Sequence, residues 1–147
     1  MTLAVQSTIV VRSANYPDAD AVIACDPLGR SDLARVNFIH RAVASRACFV
    51  GELNGSVVGY GVLEYTFFEC GFIRLLAVRD EDRRRGVGSA LVRHMEGACK
   101  TPKVFTTTGR SNAPMQGLLK KLGYRRSGTI QNLDVHDAEL VFFKKLR

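Results

Sequence analysis

The stretch Gly71–Val78 places the strongest constraint on the fold of this 147-residue chain, because it is apolar apart from Arg74. A short apolar run bounded by turn signals is typical of a central strand that is buried on both faces. Such a strand needs other elements packed against it, and the helical patterns elsewhere in the chain can supply them. We therefore expect an α/β or α+β domain with a mixed sheet.

The patterns around this strand predict the other elements. Asn54-Gly55 lies between two runs of β formers and indicates a two-residue hairpin. Ser31 is the expected N-cap of an early helix, and Asn112 or Ser111 caps a late one that stops at Gly123. The predicted order is β-α-α-β-β-β-α-β-α-β-β. The strands are predicted at Thr8–Val11, Cys48–Leu53, Val57–Tyr65, Gly71–Val78, Lys103–Thr108, Tyr124–Ile130 and Glu139–Leu146.

Composition and length predict one domain over residues 1–147 that folds without disulfides or a metal ion. The start of the chain, MTLAVQSTIVVR, has no basic head before its apolar stretch, so we interpret it as a first strand and not as a signal peptide. The four cysteines are far apart and form no CxxC pair, which favours buried thiols in a reducing, cytoplasmic compartment. No apolar run is long enough for a membrane span.

The net charge of +7 favours anionic partners such as nucleic acid, an acidic membrane surface or a phosphate-bearing small molecule, and does not choose among them. Nucleic acid ranks last, because the sequence shows neither a helix-turn-helix nor the interleaved aromatic residues of an RNA-binding sheet. A homodimer remains open.

The segment after the central strand carries the most chemical information. Arg83-Arg84-Arg85 precedes Gly86-Val87-Gly88 at the predicted start of a helix. Main-chain N–H groups at a helix N-terminus and the helix dipole favour an anion, and glycines let a phosphate approach the backbone. The segment therefore predicts a phosphate or pyrophosphate site. The alternative is a solvated charged turn, which the acidic residues at Asp80–Asp82 favour. The pattern is neither a P-loop nor a GxGxxG dinucleotide fingerprint.

These residues resemble the signature of the GNAT superfamily of N-acetyltransferases, Gln/Arg-x-x-Gly-x-Gly/Ala between a strand and a helix. The strand ending in Leu76-Ala77-Val78 and the later Asn112-Ala113, with a helix leading into Leu122-Gly123-Tyr124, extend the resemblance over residues 72–124. It implies a GNAT-like mixed sheet flanked by helices. It also implies an acetyl-CoA-dependent enzyme that acetylates the amine of a small molecule or a protein.

The resemblance also implies roles for individual residues. Backbone amides of the loop would hold the pyrophosphate of acetyl-CoA, and the strand end would pair with the pantetheine arm, which requires the sheet to splay there. The N–H near Leu76 would polarise the thioester carbonyl. The implied cofactor-binding residues are Leu76, Ala77, Val78, Arg83, Arg84, Arg85, Gly86, Val87, Gly88, Ser89 and Asn112.

The catalytic base is predicted among carboxylates near the central strand. Glu64 ends the preceding predicted strand, and Glu69 directly precedes the central one, so Glu69 is favoured; both can also be ordinary exposed acids. Leu119 occupies the position where the family often has a tyrosine as general acid. Water or the hydroxyl of Tyr65 would then protonate the leaving thiolate, or the protein is a CoA-binding module or sensor with weak turnover. Acceptor choice is assigned to residues 16–45 and 65–72.

Overall fold

The structure, a computed structural model, describes residues 7–147. Within them, seven strands form one mixed sheet in the order β1-β2-β3-β4-β5-β7-β6, and four helices flank it. The strands are β1 Ile9–Ser13, β2 Cys48–Leu53, β3 Ser56–Phe67, β4 Cys70–Val78, β5 Lys103–Gly109, β6 Arg125–Ile130 and β7 Glu139–Lys145. The helices are α1 Ala19–Cys25, α2 Leu33–Ala44, α3 Val87–Ala98 and α4 Ala113–Lys121.

This order confirms the sequence prediction, and β4 is the central strand. The pairing of β4 with β5 is parallel, whereas β1 with β2, β2 with β3, β5 with β7 and β6 with β7 are antiparallel. The predicted first strand is β1 from Ile9 onward, and its predicted extension over residues 1–6 lies outside the described residues. No helix within residues 7–147 is long and apolar enough to cross a bilayer.

Two local predictions were wrong in detail. The N-cap of α2 is Asp32, whose carboxylate accepts a hydrogen bond from the Arg35 N–H, while the Ser31 hydroxyl instead donates to the Leu28 carbonyl. β4 is not buried on both faces along its whole length, because only Gly71 and Ile73 are fully buried in it. The last residues of β4 are half-buried, and this leaves them partly accessible.

The chain divides into two compact units. The described part of unit 1 comprises residues 7–62 and Leu75–His94, and unit 2 comprises Leu63–Arg74 and Met95–Arg147. In unit 1, α1 and α2 contribute Val22, Ile23, Ile39 and Val43 to a cluster of buried residues. Leu75 and Ala77 of β4 pack against that cluster, which anchors the strand whose end leads into the predicted anion loop.

Unit 2 has its own buried residues, among them residues at the end of α3 and in α4, β5 and β7. Its most deeply buried side chains include Met95, Val104, Leu119, Leu140 and Phe142. The hydroxyl of Tyr124, which follows α4, donates a hydrogen bond of 2.7 Å to the Glu96 carboxylate, and Lys144 lies 3.1 Å from the same carboxylate. Tyr124 therefore holds a structural position in this unit.

Candidate active site

The loop between β4 and α3 lies within unit 1 and begins with a short turn that neutralises its acidic residues. Arg79 contacts the Asp82 carboxylate at 2.7 Å, and Arg83 contacts the Asp80 carboxylate at 3.1 Å. The main-chain N–H of Arg79 donates to the Val58 carbonyl of β3 at 2.8 Å, which ties the loop to the sheet. The acids of this segment are thus paired, and they do not cancel the arginines that follow them.

Arg84, Arg85 and Gly86 form the rest of the loop. Arg84 and Arg85 are exposed, and neither makes an ion pair with any residue from 7 to 147. Arg84 has φ of 63° and Gly86 has φ of 92°, so the backbone turns through the left-handed region twice within three residues. Alternation of this kind directs successive N–H groups toward a common side, which is how backbone concavities bind anions.

The main-chain N–H groups from Arg84 to Ser89 donate no hydrogen bond within the described part of the chain. The first donor of α3 is Ala90, whose N–H bonds to the Gly86 carbonyl at 3.0 Å. The free N–H groups and the positive end of the α3 dipole make this segment a site for a negatively charged group. The donors fit a diphosphate, which offers several acceptor oxygens.

Two glycines on the neighbouring strands β2 and β3 allow close packing. Gly51 on β2 lets α3 lie close to that strand, and Gly59 on β3 lets the end of β4 lie close to it. A Cβ at Gly51 would lie 2.8 Å from Val87, the first residue of α3. A Cβ at Gly59 would lie 2.8 Å from the carbonyl oxygen of Ala77 and 3.1 Å from the Val78 side chain. Neither glycine was among the predicted site residues, although a glycine inside a strand pattern often marks a close backbone approach.

We expect Gly59→Ala to destabilise the fold by about 1–3 kcal/mol, because the new methyl group meets a main-chain oxygen that cannot move aside like a flexible side chain. The matched control is Gly97→Ala in α3, where a Cβ meets nothing within 4 Å. An alanine inside a helix is favoured over glycine, so this variant should gain about 0.5–1 kcal/mol. Urea unfolding of both variants measures the difference, and equal midpoints would contradict the packing argument.

The remaining predicted site residues lie in unit 2. Asn112 is the N-cap of α4, and its side chain accepts a hydrogen bond from the Met115 N–H. Glu64 lies inside β3 and not at its end, half-buried, and accepts a 2.6 Å hydrogen bond from the Thr66 hydroxyl. Glu69 is exposed in the two-residue turn between β3 and β4. The structure thus groups the predicted loop and strand residues in unit 1, whereas Asn112 and both glutamates lie in unit 2.

Two further positions bear on proton transfer. Leu119 is fully buried in α4 and cannot donate a proton. The Tyr65 hydroxyl accepts a hydrogen bond of 3.0 Å from the Lys100 N–H, which leaves its own hydrogen available for donation.

Burial raises the pKa of the Cys25 thiol to about 11 and that of Cys48 to about 12, so these thiols stay protonated, as expected for small buried side chains.

Comparison with known proteins agrees with this geometry. Residues 18–124 match the family model of the acetyltransferase (GNAT) family, and the chain belongs to that family. A GNAT acetyltransferase from Bacillus cereus ATCC 10987 is 31% identical and has a TM-score of 0.88, with 94% of this chain and 97% of that chain covered. The search of curated proteins returned no match.

More distant structures share the fold. Ard1 from Thermoplasma volcanium is 23% identical with a TM-score of 0.77, over 93% of this chain and 97% of that one. The yncA acetyltransferase of Salmonella typhimurium, solved with acetyl-CoA, is 15% identical with a TM-score of 0.76, over 95% of each chain. The family and the fold predicted from the sequence are therefore confirmed.

Proposed function

We propose that this protein transfers an acetyl group from acetyl-CoA to an amine by direct attack in a ternary complex. The observation that carries the proposal is the run of main-chain N–H groups from Arg84 to Ser89, which donate no hydrogen bond within residues 7–147. Donors left free at a helix N-terminus can bind an anionic acceptor, and the pyrophosphate of acetyl-CoA supplies acceptor oxygens with negative charge.

The charges around the loop support the same ligand. Asp80 and Asp82 are held by Arg83 and Arg79, while the guanidinium groups of Arg84 and Arg85 have no carboxylate partner in the described residues. Two unpaired cations beside free N–H groups attract a diphosphate more strongly than a neutral ligand. This favours the anion-site interpretation of the sequence over the solvated-turn alternative.

The main chain of β4 supports a role in holding the pantetheine arm. The parallel ladder of β4 with β5 pairs Gly71 with Val104, Phe72 with Phe105 and Ile73 with Thr106. β4 continues beyond this ladder to Val78, so the peptide groups of Leu76, Ala77 and Val78 are candidates to pair with the amides of an extended ligand. The solved structure of yncA with acetyl-CoA, which shares the fold, supports the same donor here.

When bound, acetyl-CoA supplies a thioester whose carbonyl carbon is open to attack by an amine. The amine must be neutral, so a carboxylate, Glu69 or Glu64, takes its proton through water. The N–H near Leu76 stabilises the charge that develops on the carbonyl oxygen. The new C–N bond forms as the C–S bond breaks, and the thiolate, whose conjugate thiol has a pKa of about 8.5, takes a proton from water or from Tyr65.

The buried Leu119 favours a second candidate function, a CoA-binding module or sensor that turns over weakly. The two candidates share the donor site and differ in rate. A steady rate of thiol release that depends on an amine favours the enzyme, whereas saturable binding of acetyl-CoA with no release above background favours the module.

We expect titration calorimetry to detect acetyl-CoA binding, and a thiol-release assay with a panel of amines to detect transfer. Replacing the base should lower the rate by about 10²–10⁴-fold without weakening acetyl-CoA binding. Glu69→Gln and Glu64→Gln serve as controls for each other, because only the residue that acts as base should lose that rate. Unchanged rates in both variants would overturn the base assignment, and no binding at millimolar acetyl-CoA would overturn the proposed function.

A further inference from the structure

Four neighbouring strands of unit 2 place a row of side chains in register across one face of the sheet. Phe72 on β4 is the partner of Phe105 on β5, Phe105 is the partner of Phe143 on β7, and Phe143 is the partner of Arg125 on β6. Residues that are direct partners across a sheet project to the same face. Three aromatic rings and a guanidinium group therefore lie side by side.

The rings contact one another and remain partly exposed. Phe67, on β3, stacks on Phe72 with 5.0 Å between ring centroids and an interplanar angle of 18°, and its centroid lies 5.2 Å from that of Phe105. The rings of Phe105 and Phe143 are stacked with their centroids 6.0 Å apart. Each of these side chains keeps part of its surface accessible. They form a continuous aromatic surface that water reaches.

A strained turn holds one more ring at the end of this surface. Phe68 and Glu69, the two residues that join β3 to β4, have φ of 53° and 60°. Left-handed backbone at residues other than glycine costs free energy, and such positions persist where the surrounding structure enforces them. Phe68 is 81% exposed, and its ring lies edge-on to Phe67 at 5.1 Å. We call Phe67, Phe68, Phe72, Phe105 and Phe143 the aromatic row.

The charge around the aromatic row is basic. Lys103 and Lys145 are partners on β5 and β7, two residues from Phe105 and Phe143, so they project to the same face. Both lysines and Arg125 are exposed. The Glu139 carboxylate on this face accepts a 2.8 Å hydrogen bond from the Thr107 hydroxyl, and the turn adds the carboxylate of Glu69.

We propose that the aromatic row binds a single-stranded nucleic acid, with bases stacked on the rings and phosphates near Lys103, Lys145 and Arg125. Unpaired bases stack on aromatic side chains that line a sheet, and basic residues beside them bind the backbone. A duplex keeps its bases stacked internally and cannot use the rings. A second copy of the chain would bring basic residues against basic residues, so the charge of the face opposes self-association.

The test is fluorescence anisotropy with labelled ten-nucleotide single-stranded RNA and a duplex of equal length, in a series of salt concentrations. Phe68→Ala should weaken single-strand binding by about 5-fold or more, and Phe105→Leu, which keeps an apolar side chain, should act in the same direction. The triple variant Lys103→Gln, Lys145→Gln and Arg125→Gln should reduce the slope of log affinity against log salt by about 2.

Two matched controls separate this surface from general electrostatic binding. Leu133→Ala removes another exposed apolar side chain, and Arg41→Gln removes one exposed positive charge on α2; neither should change affinity by as much as 2-fold. Circular dichroism verifies that each variant is folded. Acetyl-CoA protection against heat should persist in the Phe68→Ala variant, so a failure here is distinguishable from a failure of the proposed function.

Three outcomes would overturn the proposal. The first is no single-strand binding at 0.15 M salt, on the order of physiological ionic strength. The second is equal affinity for duplex and single strand, which would indicate non-specific attraction. The third is a dimer, seen by light scattering, that Phe68→Ala dissociates, which would assign the face to contact between copies of the chain.

Discussion

Gly86→Val is expected to abolish the increase in melting temperature that acetyl-CoA confers on the folded protein. Gly86 has φ of 92°, which a β-branched residue adopts only with strain. A Cβ here would lie 3.5 Å from Ile9, an ordinary contact, so the variant acts through the backbone and not through overlap. The backbone rotates toward negative φ and redirects the N–H groups of the loop away from a shared anion.

Differential scanning fluorimetry measures this effect. A ligand at 100 times its dissociation constant stabilises the folded state by about 2.7 kcal/mol, which raises the melting temperature of a domain of this size by several degrees. We expect that increase in the original protein and none in Gly86→Val. The result would identify the loop as the holder of the diphosphate.

Gly55→Val is the matched control. Gly55 has φ of 86° in the β2–β3 turn, and a Cβ there meets nothing within 4 Å. The control variant therefore carries the same kind of backbone strain, in the β2–β3 hairpin and not in the β4–α3 loop itself. It should lower the melting temperature and keep the full increase from acetyl-CoA. A full increase in both variants would show that the loop does not bind the diphosphate.

The end of β4 and the start of α3 on either side of the loop could be predicted from the sequence because their signals are local. Two glycines, a preceding apolar strand and a helix pattern lie within about twenty residues of each other, and local chemistry determines the free N–H groups. The pairing of Asp80 with Arg83 and of Asp82 with Arg79 was not predictable, since charge counting cannot show which groups touch. That pairing decides how much positive charge is left for a ligand.

The turn between β3 and β4 shows the opposite case. Asn54-Gly55 was recognised because both residues tolerate positive φ, whereas Phe68-Glu69 forms a turn of the same length with residues that do not favour it. The strands predicted here therefore end at Tyr65 and begin again at Gly71, whereas β3 extends to Phe67 and β4 begins at Cys70. Strand pairing aligns Phe72, Phe105 and Phe143 across the sheet. This pairing joins segments that are distant in the sequence, so no local sequence pattern predicts it.

A buried polar group near α1 also escaped prediction. Asp26 directly follows α1, and its side chain is inaccessible to solvent. It accepts hydrogen bonds from the Tyr60 hydroxyl on β3, from Arg35 on α2 at 2.8 Å, and from the Leu28 N–H at 2.9 Å. One carboxylate thus joins two helices to a strand, and its bonds to Arg35 and Tyr60 cross to elements that no local sequence pattern links to it.

Asp26→Ala is expected to destabilise the protein by about 3–5 kcal/mol, because removal of one partner leaves Arg35 and the Tyr60 hydroxyl without their acceptor in the interior. For a domain of this size the melting temperature should fall by about 10 °C. Asp20→Ala is the matched control, since Asp20 on α1 pairs with Arg30 at 3.2 Å with both side chains exposed. That pair should contribute less than about 1 kcal/mol. Similar losses in the two variants would contradict the role of burial.

The same carboxylate predicts how the stability of the protein depends on pH. Burial acts to raise the pKa of Asp26, but the hydrogen bonds from Tyr60, Arg35 and Leu28 outweigh it, so the pKa lies below its usual range. Because folding lowers this pKa, Asp26 stabilises the fold above the pKa of an unfolded aspartate, about 4, and that contribution disappears as the pH falls further. Urea unfolding at pH 7 and pH 3 should show a loss in the original protein that is smaller in Asp26→Asn, which has no carboxylate to protonate. An equal loss of stability in both proteins would show that groups other than Asp26 cause the sensitivity to acid.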